Sequence, residues 1–330
     1  MEPPAEVVKI AEYIREMKIR GAGRIARAAA HALKLAAIAY KGHDLGEYLE
    51  YMERVAQLLK STRPTAVSLP NAVNYVMMRV KSARTLRDAI ATAVRAADEF
   101  TSLSLKAVET IGRIGAGLLE DGDVVLTHCN SSAALSVIKT AFKEGKKLRV
   151  YATETRPRFQ GLISYRELTQ AGISTTLIPD SAVRFFMKEV DKVIVGADAV
   201  AANGAVVNKV GTSMIALAAH EARVRFYVAA ETYKFSPATV LGELVTIEER
   251  DPKEVVPPNV LASSPRLRVR NPAFDVTPPE YIDAIITERG VIPPKAAILV
   301  LKEEYGRMLE EELMRITLDI EDSIYPAQLP

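Results

Sequence analysis

The 330-residue sequence contains a single cysteine and no tryptophan. One cysteine cannot form a disulfide within the chain or build a cysteine-based zinc site, so we expect a reduced protein stabilised by its hydrophobic core. Long hydrophobic runs are also missing. Arg27, His31 and Lys34 interrupt the most apolar helical stretch, 26–40, well short of the roughly 20 apolar residues that a membrane span requires. With no apolar run behind the first residues, we expect neither a secretory signal nor a membrane anchor and predict a cytoplasmic protein.

A surplus of either charge is lacking as well. Lys and Arg number 43 and Asp and Glu number 41, which gives a net charge of +2. This balance gives no reason to expect a nucleic-acid partner. The hydrophobic fraction of 48% and the charged fraction of 25% are ordinary for a folded globular chain. Any anion-binding site must therefore be a local arrangement of side chains and helix ends.

The hydrophobic pattern changes near residue 120. From residue 6 to about 120, apolar residues recur at helical spacing, with interruptions at 20–23 and 62–71 and a possible break near residue 102. Beyond that point, short β-branched runs alternate with helical patterns, which is typical of a parallel, doubly wound sheet. The predicted strands are 124–127, 148–153, 175–178, 192–196, 225–229 and 282–287. We therefore predict an α/β protein with a helical N-terminal domain, 1–120, and a mainly parallel-sheet domain, 121–330.

The only cysteine, Cys129, lies where a predicted strand gives way to a predicted helix that begins near Ser131. In open α/β sheets, ligands bind outside the carboxyl ends of the strands, and a helix start offers free N–H groups to an anion. A lone cysteine is, however, more often a small buried apolar side chain. Its position alone leaves both interpretations open.

A second candidate, Asp198, follows the apolar run 193–197 and precedes another apolar stretch. Burial would raise its pKa above the reference value of about 3.9 and favour the neutral acid, although an aspartate at this place can also cap a turn or helix. His128 neighbours the cysteine, but adjacent strand residues point to opposite faces. We therefore favour a structural role for His128.

Several cations follow predicted strand ends or interrupt the helical region. Each is a weak signal alone, but together they predict a site for an acidic ligand. The turn 20–23 superficially matches a dinucleotide fingerprint, but a charged helical run precedes it where that fingerprint requires a strand, so we reject the match. The candidate cations are Arg20, Arg24, Arg63, Arg156, Arg158, Lys209 and Lys234.

An ordered set of motifs resembles the superfamily shared by initiation factor 2B regulatory subunits and sugar-1-phosphate isomerases, and within it the archaeal ribose-1,5-bisphosphate isomerases. The motifs are Arg20-Gly21-Ala22-Gly23, Thr62-Arg63-Pro64-Thr65, Thr127-His128-Cys129-Asn130-Ser131, Glu154-Thr155-Arg156-Pro157, Gly196-Ala197-Asp198, Asn208-Lys209-Val210-Gly211-Thr212 and Ala230-Glu231-Thr232-Tyr233-Lys234. The resemblance implies a Rossmann-like second domain, a homodimer or homohexamer, and conversion of α-D-ribose 1,5-bisphosphate to D-ribulose 1,5-bisphosphate in AMP degradation. It also implies AMP as an activator and neither a metal nor a cofactor.

The same resemblance assigns roles to residues. Cys129 would accept the C2 proton and Asp198 would donate a proton as the sugar ring opens. Such a pair requires the thiol pKa to be lowered and the carboxyl pKa to be raised, and we expect the helix start and Lys209 or Lys234 to lower the former. The implied substrate-binding residues are Arg20, Gly21, Ala22, Gly23, Arg63, Ser131, Ser132, Ala133, Asn208, Lys209 and Lys234.

Two alternatives stay open. Asn130-Ser131-Ser132 stands where ribose-1,5-bisphosphate isomerases often have His-Ser-Lys, and His-Cys-Asn also occurs in methylthioribose-1-phosphate isomerases. Those enzymes usually have Arg-Gly-Ala-Pro in place of Arg20-Gly21-Ala22-Gly23, and the many cations favour a substrate with two phosphates. A non-catalytic regulatory subunit is the other alternative, but such subunits generally lack the Cys and Asp pair.

Overall fold

A computed structural model describes residues 1–324 of the chain. Helices and strands follow the sequence pattern closely. The helices are α1 Ala5–Arg15, α2 Ala22–Ala39, α3 Leu45–Thr62, α4 Ser68–Lys81, α5 Leu86–Ala116, α6 Ser132–Lys143, α7 Gly161–Gln170, α8 Val183–Phe186, α9 Thr212–Ala222, α10 Pro258–Ser263 and α11 Ala297–Ile324. The strands are β1 Val124–Thr127, β2 Arg149–Thr153, β3 Ser174–Ile178, β4 Lys192–Gly196, β5 Ala199–Val200, β6 Val206–Lys209, β7 Arg225–Ala229, β8 Phe274–Thr277, β9 Ala284–Thr287 and β10 Gly290–Ile292. Within residues 1–324, no helix is long and apolar enough to cross a membrane.

The helical region differs from the sequence prediction in two places. The possible break near residue 102 is wrong, because α5 runs unbroken for 31 residues and Ser102 lies on its exposed face, where a poor helix former costs little. The interruption at 62–71 is shorter than predicted. Helix α4 begins at Ser68 and accepts Pro70 in its first turn, where a missing backbone N–H breaks no helical hydrogen bond.

The seven-stranded sheet has the order β10-β9-β7-β4-β1-β2-β3. All neighbouring pairs are parallel except β9 and β10, so the predicted mainly parallel, Rossmann-like sheet is confirmed. Strand order reverses between β1 and β4, which pair at Val125 with Lys192 and at Leu126 with Val193. A crevice outside the carboxyl ends forms at such a reversal, so the ends of β1 and β4 are the expected ligand-binding place.

A second sheet, with the order β5-β6-β8 and antiparallel pairing, is absent from the sequence prediction. Strand β5 has only two residues, and β6 and β8 lie more than 60 residues apart in the chain, so local periodicity gave no signal for the pairing. This small sheet holds Asn208 and Lys209 at the carboxyl end of β6.

Helix α5 joins the two regions of the chain. Its first half contributes Ala93, Ala97 and Phe100 to the core of the helical region, whereas Ile111 and Ala116 pack in the core above the parallel sheet. Because one helix enters both cores, the proposed domain boundary at residue 120 stays a prediction. The two regions meet above the carboxyl ends of β1 and β4, where both contribute residues to one cavity.

Candidate active site

A cavity of about 400 Å³ opens at the reversal point of the parallel sheet. The helical region supplies its loop and turn residues, and the sheet region supplies the strand ends. Among the predicted catalytic and substrate-binding residues, Ala133 alone does not line the cavity, because its side chain is buried in the core between α6 and the sheet. The predicted residues that line the cavity are Cys129, Asp198, Arg20, Gly21, Ala22, Gly23, Arg24, Arg63, Ser131, Ser132, Asn208, Lys209 and Lys234.

Cys129 lies just beyond β1 in a left-handed backbone conformation, with a φ of 66°. A non-glycine residue in this region is uncommon and is retained where its surroundings hold it. Here the Cys129 amide donates to Thr155 Oγ1 at 2.9 Å, and its carbonyl accepts from Ser164 Oγ at 2.6 Å. Thr155 is itself left-handed, and the Asp180 carboxylate accepts from its amide at 2.8 Å. The loop after β2 and helix α7 thus fix the backbone that presents the thiol.

His128 is buried and hydrogen-bonded through both ring nitrogens, in agreement with the structural role predicted for it. Its Nε2 lies 3.0 Å from the Val210 carbonyl, which can only accept, so Nε2 carries the proton. Its Nδ1 then accepts from Thr153 Oγ1 at 2.6 Å. Burial lowers the pKa of His128, although the nearby Asp180 carboxylate acts in the opposite direction. The neutral ring joins the end of β1 to the loop after β6.

The predicted lowering of the Cys129 pKa is wrong for this structure. Burial of the thiol raises its pKa to about 11, and the charge of Asp198 acts in the same direction. The positive charges of Lys209 and Arg250 and a backbone hydrogen bond from Asn130 oppose this rise without cancelling it. Desolvation dominates because the packing around the half-buried Cys129 would leave its thiolate few contacts with water.

The prediction for Asp198 is confirmed in direction. Asp198 lies between β4 and β5, and its amide donates to the Val207 carbonyl at 2.9 Å. Burial raises the pKa of its carboxyl group, which favours the neutral acid, while Lys234 and Lys209 oppose the rise. Since the Asp198 charge disfavours the thiolate of Cys129, a neutral Asp198 and an ionised Cys129 favour each other.

The candidate cations are held by different partners. Lys209 is buried, donates to the Ala273 carbonyl at 2.7 Å and lies 4.7 Å from the ring centre of Phe274, and burial lowers its pKa. Lys234 forms a buried ion pair with Glu231 at 2.6 Å. Asn208, beside Lys209, donates to Thr212 Oγ1 at 3.0 Å.

The segment after Leu241 contributes two charged residues that sequence reasoning missed. Glu248 pairs with Arg63 of the helical region at 2.5 Å and lies 3.4 Å from Arg250 Nε. Arg250 lines the cavity with only 8% of its side chain exposed. In the sequence these residues belong to a charged run, 248–251, which resembles an ordinary solvated loop. Only the tertiary contact between this loop and the cavity distinguishes them.

Other cavity residues that sequence reasoning missed include Arg27, Gln160, Glu231 and Phe274. Glu231 lies within a quoted motif, but nothing local indicated that it would pair with Lys234. Arg27 lies one helical turn beyond the glycine turn, a spacing that could have suggested that it faces the same site.

Arg156 and Arg158, which the sequence grouped with the strand-end cations, do not line the cavity. The Arg156 guanidinium lies 4.9 Å from the ring centre of Phe159 and donates to the Val255 carbonyl at 3.2 Å. Arg158 pairs with Glu254 at 3.5 Å. Both instead anchor the loop after β2.

Asn130 occupies the position where the sequence departs from the isomerase pattern. Its Nδ2 donates to Ser164 Oγ at 3.1 Å and to Glu167 Oε1 at 3.2 Å, and Lys139 pairs with the same carboxylate at 2.7 Å. The Asn130 amide is thus fixed to α7 at the edge of the cavity. Ser131 caps α6 by accepting from the Ala134 amide at 3.3 Å.

Within residues 1–324, no group of three or more His, Cys, Asp and Glu side chains is arranged to hold a metal ion. The cavity combines a thiol, a carboxyl group and several cations. This combination can hold phosphate groups and move protons between a thiol and a carboxyl group.

We expect the Lys209→Met variant to react more slowly with iodoacetamide than the wild type below about pH 11, because the Lys209 charge lowers the thiol pKa. The single cysteine makes labelling unambiguous, and intact mass measured over a pH series gives the rate. Lys34→Met is the matched control, since Lys34 pairs with Asp98 on the helical region outside the cavity. If the labelling rate had the same pH dependence in all three proteins, the Lys209 charge would have no effect on the thiol pKa, and the prediction would be wrong.

Comparisons of the sequence and of the structure with known proteins find relatives that match most of the chain. The profile of the Initiation factor 2 subunit family matches residues 18–294. The chain is 56% identical over 306 residues to the ribose 1,5-bisphosphate isomerase of Pyrococcus furiosus, covering 91% of this chain and 94% of that protein. It is 40% identical over 301 residues to the methylthioribose-1-phosphate isomerase of Acetivibrio thermocellus, covering 87% of this chain and 88% of that protein. The crystal structure of the Pyrococcus horikoshii translation initiation factor eIF-2B matches with a TM-score of 0.78 and 34% identity, covering 89% of this chain and 99% of that one.

Proposed function

The chain belongs to the Initiation factor 2 subunit family, and from that premise we propose that it is an aldose-ketose isomerase that converts α-D-ribose 1,5-bisphosphate to D-ribulose 1,5-bisphosphate. One observation carries the proposal. Cys129 and Asp198 follow the two strands on either side of the sheet reversal, and both line one cavity with cations from both regions. The extent of identity to the Pyrococcus furiosus enzyme supports the same substrate.

The proposed reaction needs a base and an acid at once, because a phosphate on C1 prevents the ring from opening through a free hemiacetal. The Cys129 thiolate takes the proton from C2, the C1–C2 double bond forms, and the bond between C1 and the ring oxygen breaks. Asp198 gives its proton to the departing ring oxygen. The Cys129 thiol then protonates C1, and Asp198 recovers a proton from the C2 hydroxyl as the ketone forms. The atoms balance, and both side chains return to their starting states.

The active protonation state is a minor one at neutral pH. With the thiol pKa raised to about 11, about one Cys129 side chain in 10⁴ is ionised at pH 7. The raised pKa of Asp198 offsets part of this scarcity of thiolate. It makes the neutral acid more abundant, and a neutral Asp198 carries no charge to disfavour the Cys129 thiolate. The pair therefore works by sharing one proton, and Lys209 acts on both members of the pair.

The cations suit a substrate with two phosphates. In the proposal, Arg20, Arg63 and the turn Gly21-Ala22-Gly23 hold one end of the substrate from the helical region. The sheet region holds the other end through Asn208, Lys209 and Lys234. The helix start at Ser131 and Ser132, together with the adjacent Ala133, completes the phosphate contacts through free backbone N–H groups.

The biological setting belongs to the same proposal. The reaction would serve AMP degradation in the cytoplasm, with AMP as an activator, no metal or other cofactor, and a homodimer or homohexamer as the working form.

A second candidate is methylthioribose-1-phosphate isomerisation. It is favoured by His128-Cys129-Asn130 and by the 40% identity to the Acetivibrio thermocellus enzyme. Its chemistry at C1 and C2 would use the same pair, so the difference lies at the far end of the sugar. A thioether there would offer no charge to the cations at that end of the cavity, whereas a second phosphate would pair with them. This difference ranks the bisphosphate first.

The deciding experiment supplies the full-length protein with ribose 1,5-bisphosphate, with and without AMP, and follows ribulose 1,5-bisphosphate by nuclear magnetic resonance. A parallel assay supplies methylthioribose 1-phosphate. We expect turnover of the bisphosphate and faster turnover with AMP. Turnover of the thioether substrate alone would establish the second candidate, and turnover of neither would favour a non-catalytic regulatory subunit.

A further inference from the structure

Tyr233 connects the helical region to the sheet region, and the proposed mechanism does not use it. It lies in the turn Thr232–Lys234 that follows β7. Its ring packs against the helical core, 5.4 Å from the ring centre of Phe100, and its carbonyl accepts from Asn71 Nδ2 at 2.9 Å. Tyr233 does not line the cavity, so it can affect a ligand only through other residues.

The Tyr233 hydroxyl is the middle of a hydrogen-bonded chain that ends at Lys234. Arg27 Nη1 donates to Ser104 Oγ at 3.0 Å, and Ser104 Oγ donates to the Tyr233 hydroxyl at 3.1 Å. The Tyr233 hydroxyl donates to Glu231 Oε1 at 3.0 Å. The other oxygen of Glu231 lies 2.6 Å from Lys234 Nζ. The chain therefore starts on α2 and α5 and ends on a cavity-lining cation of the other region.

The glycine turn packs against the same hydroxyl. A Cβ atom added at Gly23 would lie 2.8 Å from the Tyr233 oxygen, closer than Cβ atoms approach other atoms in proteins. The Tyr233 hydroxyl oxygen thus contacts both the glycine turn, which supplies proposed phosphate contacts, and the Glu231 carboxylate, which pairs with Lys234. A lysine side chain is flexible, and one ion pair leaves much of that freedom in place. The Tyr233 hydroxyl adds a constraint by fixing the orientation of the Glu231 carboxylate.

We propose that Tyr233 is a positioning residue that sets the spacing between Lys234 and the Gly21-Ala22-Gly23 turn, so that the two regions hold the two ends of one phosphorylated sugar. This inference rests on the proposed function. It makes Tyr233 important for substrate binding and unimportant for proton transfer, because its hydroxyl reaches neither Cys129 nor Asp198 in this chain of contacts.

The test compares Tyr233→Phe with Tyr48→Phe in the full-length protein. Tyr48 is a fully buried tyrosine of the helical core whose hydroxyl makes no hydrogen bond within residues 1–324, so its variant controls for loss of a buried hydroxyl. For Tyr233→Phe we expect a KM for ribose 1,5-bisphosphate about tenfold higher and a kcat within about threefold of the wild type. For Tyr48→Phe we expect both constants unchanged. Equal KM values in the two variants, or a lower kcat with an unchanged KM, would overturn the proposal.

Ser104→Ala breaks the same chain from α5 and serves if Tyr233→Phe does not fold. We expect a smaller rise in KM from Ser104→Ala than from Tyr233→Phe, because the hydrogen bond from Tyr233 to Glu231 remains. We expect no further rise when Ser104→Ala is added to Tyr233→Phe, because the contact between Ser104 and Tyr233 is already lost. If the KM increases of the two single variants multiplied in the double variant, Ser104 and Tyr233 would act independently and not through one series of hydrogen bonds.

A binding measurement separates failure of this inference from failure of the proposed function. Calorimetric titration of the wild type, Tyr233→Phe and Tyr48→Phe with inorganic phosphate does not depend on turnover. We expect weaker phosphate binding only in Tyr233→Phe, even if the wild type does not isomerise ribose 1,5-bisphosphate. Equal phosphate affinity in all three proteins would refute the positioning role whichever substrate is turned over.

Discussion

Cys129→Ser is expected to lower kcat for ribose 1,5-bisphosphate by about 10³-fold while changing KM little, since removing a general base costs 10² to 10⁴-fold. A serine hydroxyl ionises far less readily than a thiol, so the deprotonated form that accepts the C2 proton is much scarcer in the variant. The left-handed backbone is held by Thr155 and Ser164 through main-chain atoms of residue 129, so the serine variant keeps the same backbone contacts. The loss corresponds to about 4 kcal/mol of transition-state stabilisation.

Exchange with solvent gives a second measurement of the same role. In deuterated water, the wild type should incorporate deuterium at C1 of the product to the extent that the thiol proton exchanges before it returns. Cys129→Ser and Cys129→Ala should both lose this incorporation, and their melting temperatures should stay close to that of the wild type. Undiminished turnover in either variant would exclude Cys129 as the base.

Asp198→Asn is expected to lower kcat by about 10² to 10³-fold and to change the shape of the pH profile. In the wild type, the active form has Asp198 protonated and Cys129 ionised, which is one arrangement of a pair that holds a single proton. Activity therefore rises as the pair loses its first proton and falls as it loses its second, so the profile is bell-shaped. Because burial raises the pKa of Asp198, the acid limb lies above the ordinary range of a carboxyl group.

Asparagine cannot donate a proton as an acid, so the alkaline fall should disappear in this variant. The residual activity should rise with pH until the thiol is ionised. The midpoint should lie below the thiol pKa of about 11, because the Asp198 charge that raises this pKa is gone. The same downward shift should occur in the pH dependence of iodoacetamide labelling, which does not require turnover.

The matched control for Asp198→Asn is Asp191→Asn. Asp191 lies at the opposite end of β4, outside the cavity, where its carboxylate accepts from the Val124 amide at 2.9 Å. We expect this variant to keep the bell-shaped profile and a kcat close to that of the wild type. A persistent alkaline fall in Asp198→Asn would assign the acid to another group.

Much of the fold could be predicted from the sequence because its elements are amphipathic or buried over their whole length. The bounds of β1, β4 and β7 match the predicted runs, since short β-branched runs must be buried between helices in a parallel sheet. The antiparallel pairing of β6 with β8 could not be predicted, because it joins distant short segments whose local pattern does not indicate a partner.

The candidate site also contains some residues that the sequence could indicate and others that it could not. Cys129 and Asp198 could be named as candidates from the sequence because each follows an apolar strand, and the carboxyl ends of parallel strands share one edge of the sheet. Their proposed roles came from the resemblance of the motifs and not from their positions. Arg250, Glu248 and Tyr233 could not be identified, since their contacts with the cavity or with Lys234 depend on loops and on the packing of two regions.

The sequence by itself determined where the strands end and therefore which thiol and which carboxyl group follow a strand. Only the tertiary structure decided that these strands are neighbours at the sheet reversal, and only it decided the proton affinities of the two groups. Local sequence placed a helix start beside Cys129 and predicted a lower pKa, but burial raised the pKa to about 11. The physical reason is that strand formation depends on the pattern of neighbouring residues, whereas desolvation depends on everything that packs around a group.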